Sequence, residues 1–402
     1  MITNYYHLLT QSRFFIFSIS GIFFSAPGQT FLISLTIPTV CNVLSLSPLD
    51  FAKNYSMATL LASLMLPFIG KKIDVWTPQK TVLLNAFGFA ASLVLFAISP
   101  NQIGLFLSLL FMRLFGQGAL TLTATSHTIK QWSTHRGSAL SLTQLGYPLS
   151  EFVFPSLFFL LIQHIGFQWT FIVFSISCLT LYLPLSFFGL HGTIRGSGKK
   201  SSNTPEDASL HTVLRDPYFP VYLLLSSIPP IMMTAAFYFQ LTIFSNQGWP
   251  LSAIPMAIFG YALIKFLTTL VVGPLIDRWG VIPPLFILTF SIGLATMLLT
   301  IQGTSLIAYG YYALYGLGIG ASAATMSYLW AHLYGASCIG QIKGVIAIVR
   351  NGGTALSPLL FSVLLYTLHV PLNQLFLISG GVIMLMSFIP LIMARIDSRL
   401  RR

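Results

Sequence analysis

Apolar residues run along this chain in twelve long stretches, at about 14–40, 51–69, 80–99, 102–126, 137–163, 167–191, 217–243, 251–272, 283–301, 303–329, 341–366 and 373–394. A helix needs roughly 20 mostly apolar residues to cross a hydrocarbon core. Each stretch therefore predicts one transmembrane helix. Six precede the long polar stretch from His191 to Asp216, and six follow it. That stretch contains Arg195-Gly-Ser-Gly-Lys-Lys-Ser-Ser-Asn-Thr-Pro-Glu-Asp207 and has the composition of a flexible linker. The expected organisation is a six-helix half over 1–191, a linker over 192–216, and a second six-helix half over 217–402 with a short basic tail.

The two halves repeat each other. Gly70-Lys-Lys-Ile-Asp74-Val-Trp76 recurs as Gly273-Pro-Leu-Ile-Asp277-Arg-Trp279, an offset of 203 (273 − 70). The same offset joins Pro27 to Pro230, Gly137 to Gly340 and Pro155 to Pro358. A constant offset across these landmarks marks an internal duplication. Two parallel membrane repeats are the plan of a carrier that rocks around a central site.

Composition sharpens this reading. Of 402 residues, 55% are hydrophobic and 7% charged, against about 25% charged in a soluble domain, so a soluble protein is excluded. The net charge of +12 would suggest nucleic acid in a soluble chain. Here 16 of the 20 basic residues fall in loops and ends on one side, the other four being Lys53, Arg113, Lys265 and Arg350. That bias predicts both termini and the linker in the cytoplasm, in a multi-pass cell membrane (an inner membrane in a bacterium). Cys41, Cys178 and Cys338 have neither metal spacing nor a disulfide framework. The first apolar run is too long for a cleavable signal peptide. There is no phosphate-binding P-loop and no His/Asp/Glu metal cluster, so no cofactor, nucleic-acid partner or enzymatic activity is expected. The eight histidines are expected at helix ends and in loops.

Four ionisable residues fall inside apolar runs: Arg113, Glu151, Lys265 and Arg350. Charge at membrane depth is costly, which makes each a functional candidate. At 1.5 Å per residue, Arg113 and Glu151 lie at about the same depth on consecutive antiparallel helices, where they could pair and exchange a proton. Lys265 on helix 8 and Arg350 on helix 11 lie at matching depth, in a half with no acid inside an apolar run. An anionic substrate could neutralise both, the guanidinium gripping a carboxylate in bidentate fashion and the ammonium acting as a point charge. Gln29 and Thr30 beyond the Pro27-Gly28 break, Gln117, Tyr238, Gln240 and Tyr312 are polar candidates for the rest of the site. Pro27-Gly28 and Pro229-Pro230 are expected to distort helices 1 and 7. The glycines of helices 4 and 10 (Gly116, Gly118, Gly310, Gly316, Gly318, Gly320) are expected to permit close helix packing. Asp74 and Asp277, with Gly70, Gly273 and Arg278, could latch a gate. An aspartate at a helix start would accept backbone N–H bonds there.

Six plus six helices with Gly-x-x-x-Asp in the 2–3 and 8–9 loops resemble the major facilitator superfamily. The first copy departs from that family's Asp-Arg-x-Gly-Arg-Arg, with Val75 and Thr77 in place of the arginine and glycine. Arg113-Leu-Phe-Gly-Gln117-Gly118 is similar to the family's helix-4 motif. Helix 5 lacks the element of the drug/proton antiporters and reads Leu145-Gly-Tyr-Pro148-Leu-Ser. His135-Arg136-Gly137-Ser-Ala139 and Trp330-Ala-His-Leu-Tyr334-Gly335, followed by Gly340-Gln-Ile-Lys343-Gly344, resemble the monocarboxylate and oxalate/formate carriers. Those carriers have one cation on helix 8 and one on helix 11. The resemblance implies an all-α, monomeric secondary transporter for a mono- or dicarboxylate, coupled to protons or working by exchange. A carrier of a neutral or cationic compound, and a sensor that has lost transport, are the alternatives.

Overall fold

The computed structural model describes residues 13–131, 139, 142–191, 210–334 and 339–397. Among these the regular elements are all helical. Eight segments are long and apolar enough to cross a membrane. One of them, Leu142–Leu190, contains two rods, because Gly166 (φ +76°, ψ 175°) turns the chain where a side chain would be strained. Ile282–Leu298 is shorter, and Pro48–Val75 and Ser305–Tyr334 carry more polar residues.

Grouped in this way, the described residues form α1 (Phe14–Leu44), α2 (Pro48–Val75), α3 (Pro78–Ala97), α4 (102–131), α5 (146–165), α6 (167–190), α7 (219–246), α8 (Ile254–Trp279), α9 (Ile282–Leu298), α10 (Ser305–Tyr334), α11 (339–367) and α12 (Leu372–Ile396). The chain divides into two compact units, Met1–Lys200 and Ser201–Arg402.

Helices α2, α8 and α10 outrun their apolar stretches. Hydropathy reports only the hydrocarbon-facing part, whereas the backbone ladder continues until a residue stops it. Trp76, with extended backbone ahead of Pro78, stops α2. Gly280 stops α8 at φ +76°, its N–H donating to the Ile276 carbonyl at 2.8 Å. The Gly70–Trp76 and Gly273–Trp279 repeats are therefore mostly helical. Asp74 and Asp277 occupy the last turns of α2 and α8, not helix starts, so the expected N-terminal capping role is overturned.

The two proline sites also differ. In α1 a 3-10 turn at Ala26–Gly28 leads to Gln29 in extended conformation (ψ 152°) before the helix restarts at Thr30. In α7 the helix runs through Pro229 and Pro230 and is interrupted only at Phe239 (φ −90°, ψ 8°). The first-turn proline removes an N–H that has no partner within the helix, whereas Pro229 and Pro230 each leave the carbonyl four residues back without its helical donor, and the helix continues past them.

Glycine sets the closest approaches. A Cβ on Gly316 would lie 2.5 Å from the Tyr261 carbonyl oxygen, and one on Gly320 would lie 2.6 Å from that of Lys265. α8 and α10 thus meet backbone to backbone. Gly116 and Gly118 do the same work in α4, against the Phe89 ring and Leu66. Gly310 is different, with ordinary spacing to Leu298. Because a backbone carbonyl cannot swing aside, Gly316→Ala and Gly320→Ala are each expected to cost about 1–3 kcal/mol, the range for overpacking. Thermal unfolding of the purified protein in detergent checks this. Gly352→Ala, with nothing within 4 Å of the added carbon, should not lower the midpoint, alanine being the better helix former.

Candidate functional site

In the first unit a buried arginine holds the broken part of α1. Arg113, 2% exposed, sits in a π-helical segment of α4, Met112–Leu120. The chain at Gly28 lies so close to this segment that a Cβ there would be 2.6 Å from the Met112 carbonyl oxygen. Because Gln29 is extended, the Leu32 amide donates to Gln29 instead of Gly28. The Gly28 carbonyl accepts from Arg113 Nη1 at 3.1 Å instead. Arg113 Nε donates to Thr59 Oγ1 at 3.1 Å, and Nη1 also reaches Thr30 Oγ1 at 3.4 Å. The guanidinium carbon lies 5.0 Å from the centre of the Tyr55 ring, whose hydroxyl is 2.7 Å from Thr30 Oγ1. The Thr59 hydroxyl spends its proton on the Tyr55 carbonyl (2.7 Å), leaving its lone pairs for the arginine.

The Arg113–Glu151 ion pair expected from depth does not form; among the described residues Arg113 has the neutral partners just named. Glu151 is buried, 4% exposed, on α5. Equal depth on consecutive helices says nothing of which way each side chain faces, and here the broken α1 takes the arginine. Gln29 is buried and donates to Ser25 Oγ at 3.1 Å, whereas Gln117 is partly exposed. Tyr55 and Thr59, four residues apart on one face of α2, were not apparent from sequence. A tyrosine and a threonine in an apolar run carry no signal of their own.

In the second unit Lys265 is half-buried and Arg350 exposed, so neither cation has the full burial expected of it. An apolar run cannot reveal which of its faces is packed. The Lys265 ammonium lies 5.2 Å over the Tyr261 ring, one turn back on α8. Tyr261 is fully buried, edge-on to Phe237 (5.4 Å) and Tyr312 (6.5 Å), and its hydroxyl meets Met233 Sδ at 3.4 Å. Tyr312 donates to Gln240 Oε1 at 3.1 Å; both are buried, as is Tyr238. Being buried, these three residues do not line an open surface. Tyr261 was not singled out from sequence, although its spacing of four from Lys265 could have been.

Of the gating candidates, Gly70 is partly buried with Leu122 nearby, and Arg278 is exposed with its guanidinium 5.7 Å from the Trp279 ring. The side chains of Asp74 and Asp277, Gly273, and most of the 135–139 and 335–344 motifs lie outside the described residues. Among the described residues no group of three or more His, Cys, Asp or Glu could hold a metal. One histidine departs from expectation: His127 is buried in α4, 6.1 Å from the Phe17 ring.

Thr59→Val would leave an Arg113 N–H without its acceptor in a buried site, at an expected cost of about 1–3 kcal/mol. Thr59→Ser keeps the acceptor and should retain most of that stability. Thermal midpoints of the two variants, compared side by side, test the arrangement.

The fold has solved counterparts. A mutant of the peptide transporter POT superposes with a TM-score of 0.74 at 15% identity, covering 96% of this chain and 95% of that one. A POT family transporter in complex with a thioalcohol-conjugated peptide gives 0.74 at 12% identity over 95% of both chains. A bacterial homologue of the human lysosomal transporter Spinster, inward-facing and unoccupied, gives 0.63 at 14% identity over 97% and 95%. At such identities the likeness concerns the fold alone. No curated protein sequence matches the chain. The Major Facilitator Superfamily model, in contrast, matches residues 18–358, most of the length. On that match, the chain belongs to the Major Facilitator Superfamily of membrane transporters.

Proposed function

We propose that this protein is a secondary transporter that moves a small organic anion, a mono- or dicarboxylate, by alternating access, with both termini in the cytoplasm. The observation that carries the reading is the pair Lys265 and Arg350, each midway along a membrane helix and neither fully buried. Between Asp216 and Asp397 the sequence holds one acid, Asp277, at the end of α8. A charged side chain facing lipid at mid-depth is strongly unfavourable, so these cations belong on a water-filled path. There an anion gains from both. The Tyr261 ring holds the ammonium in place from one side.

Glu151, buried on α5, is the coupling candidate in this reading, and Asp74 and Asp277 the gating ones.

The direct test is thermal stabilisation of the purified protein by a panel of mono- and dicarboxylates, because a ligand that binds the native state raises its stability. Lys265→Gln and Arg350→Gln should each weaken the stabilising anion by about 2–5 kcal/mol. Arg350→Lys should weaken it too, since the bidentate fork is lost. Stabilisation by neutral or cationic solutes alone would overturn the anion assignment. Reconstituted in liposomes, Glu151→Gln should abolish uptake driven by a proton gradient and spare substrate exchange. Loss of both would remove Glu151 from coupling.

A further inference from the structure

The end of the first unit from which the linker leaves carries a cleft that plays no part in the transport reading. It is lined by Gln79 at the start of α3 and by Phe187, Phe188 and His191 at the end of α6, with a cavity volume of about 400 Å³. Its floor is rigid. A Cβ on Gly189 would stand 2.5 Å from the Phe17 amide nitrogen and 3.0 Å from the Arg13 carbonyl oxygen, so the last turn of α6 lies directly on the first turn of α1. That contact places the Arg13 guanidinium 5.0 Å from the centre of the Phe188 ring. Lys80 follows Gln79 and is exposed, as are Arg13 and His191. Among the described residues none of these three makes a salt bridge.

Two chemistries meet here. Phe187 and Phe188 are 38% and 49% exposed at a helix end, which is apolar surface at the boundary of the bilayer. Beside them stand a guanidinium, an imidazole and an amide, with the exposed Lys80 ammonium one residue further along α3, all able to donate hydrogen bonds to a phosphate. A soluble phosphate would use the donors but gain nothing from the phenylalanines. A zwitterionic lipid would use the phenylalanines but carry no net charge to the cations. An anionic phospholipid uses both.

We propose that this cleft is a binding site for an anionic phospholipid of the cytoplasmic leaflet. Arg13, Lys80, His191 and Gln79 face its phosphate, and Phe187 and Phe188 lie against its glycerol and upper acyl chain. The Phe188 ring orients the Arg13 guanidinium toward the headgroup. Each basic residue near an anionic leaflet adds an attraction that falls off within a Debye length, so the effect is local to this end of the molecule.

The test is retention of phosphatidylglycerol against phosphatidylcholine by the purified full chain, counted by native mass spectrometry and checked by the shift in thermal midpoint on adding each lipid. Phosphatidylglycerol should be retained and stabilising, and phosphatidylcholine much less so. Arg13→Gln and Lys80→Gln should each weaken retention roughly fivefold. Lys53→Gln removes the same charge at the opposite end of α2, where Lys53 pairs with Asp50 at 3.2 Å, and should change nothing. Equal retention of the two lipids, or an undiminished preference in the Arg13/Lys80 double variant, overturns the site. Stabilisation by glycerol phosphate as strong as by the lipid overturns the lipid as ligand in favour of a soluble phosphate. Should the variants fold poorly, a photoactivatable phosphatidylglycerol decides on the unaltered protein. Cross-links to peptides carrying Gln79 and 187–191 support the proposal, and cross-links confined to other peptides refute it.

Discussion

A backbone carbonyl inside a hydrocarbon core must find a donor, and water is not there to supply one. In this chain the extended conformation at Gln29 takes the Gly28 carbonyl out of the helical ladder, and Arg113 satisfies it. The same guanidinium engages Thr59 and Thr30 and lies over Tyr55, so α1, α2 and α4 are tied at one buried point. The charge is dispersed over hydroxyls, a carbonyl and an aromatic face, without a carboxylate among these contacts.

In the second unit the organising constraint is steric. Gly316 and Gly320 bring α10 onto the backbone of α8 at Tyr261 and Lys265. With no side chain between the helices, the registry of α8 is fixed where Lys265 projects. Behind it Tyr261, Phe237 and Tyr312 pack edge to face, and Tyr312 is anchored on Gln240. The residues that sequence grouped as ligand contacts therefore divide by burial: Lys265 and Arg350 are not fully buried, whereas Tyr238, Gln240 and Tyr312 are.

The exposed ends of the helices follow a third logic, set by the interface between lipid and water. Aromatic and basic residues recur together there: Lys72 over Trp76, Arg278 over Trp279, Arg13 over Phe188. An amphipathic ring beside a long cationic side chain suits a boundary where one partner wants lipid and the other wants headgroup. In the first two pairs the tryptophans, not the cations, fall at equivalent places of the internal repeat (279 − 76 = 203).

What the sequence alone determined was the part governed by transfer free energy. Apolar length gave the place of the helical segments though not their ends, the break at Pro27-Gly28 was visible in its residue types, and the offset of 203 disclosed the duplication. The close-packing glycines were legible too, since a small residue in an apolar helix has few other uses. Direction was not legible. Hydropathy does not say which face of a helix meets protein, cavity or lipid, so the Arg113–Glu151 pair was inferred where Thr59, Thr30 and a freed carbonyl stand, and Arg350 was expected to be buried where it is exposed. Helix ends were equally hidden: the ladder of α2 and α8 continues past the last apolar residue, which turned the Asp74 and Asp277 positions from helix starts into helix ends. Burial is a property that neighbouring helices confer on one another, and only the tertiary structure specifies which neighbours those are.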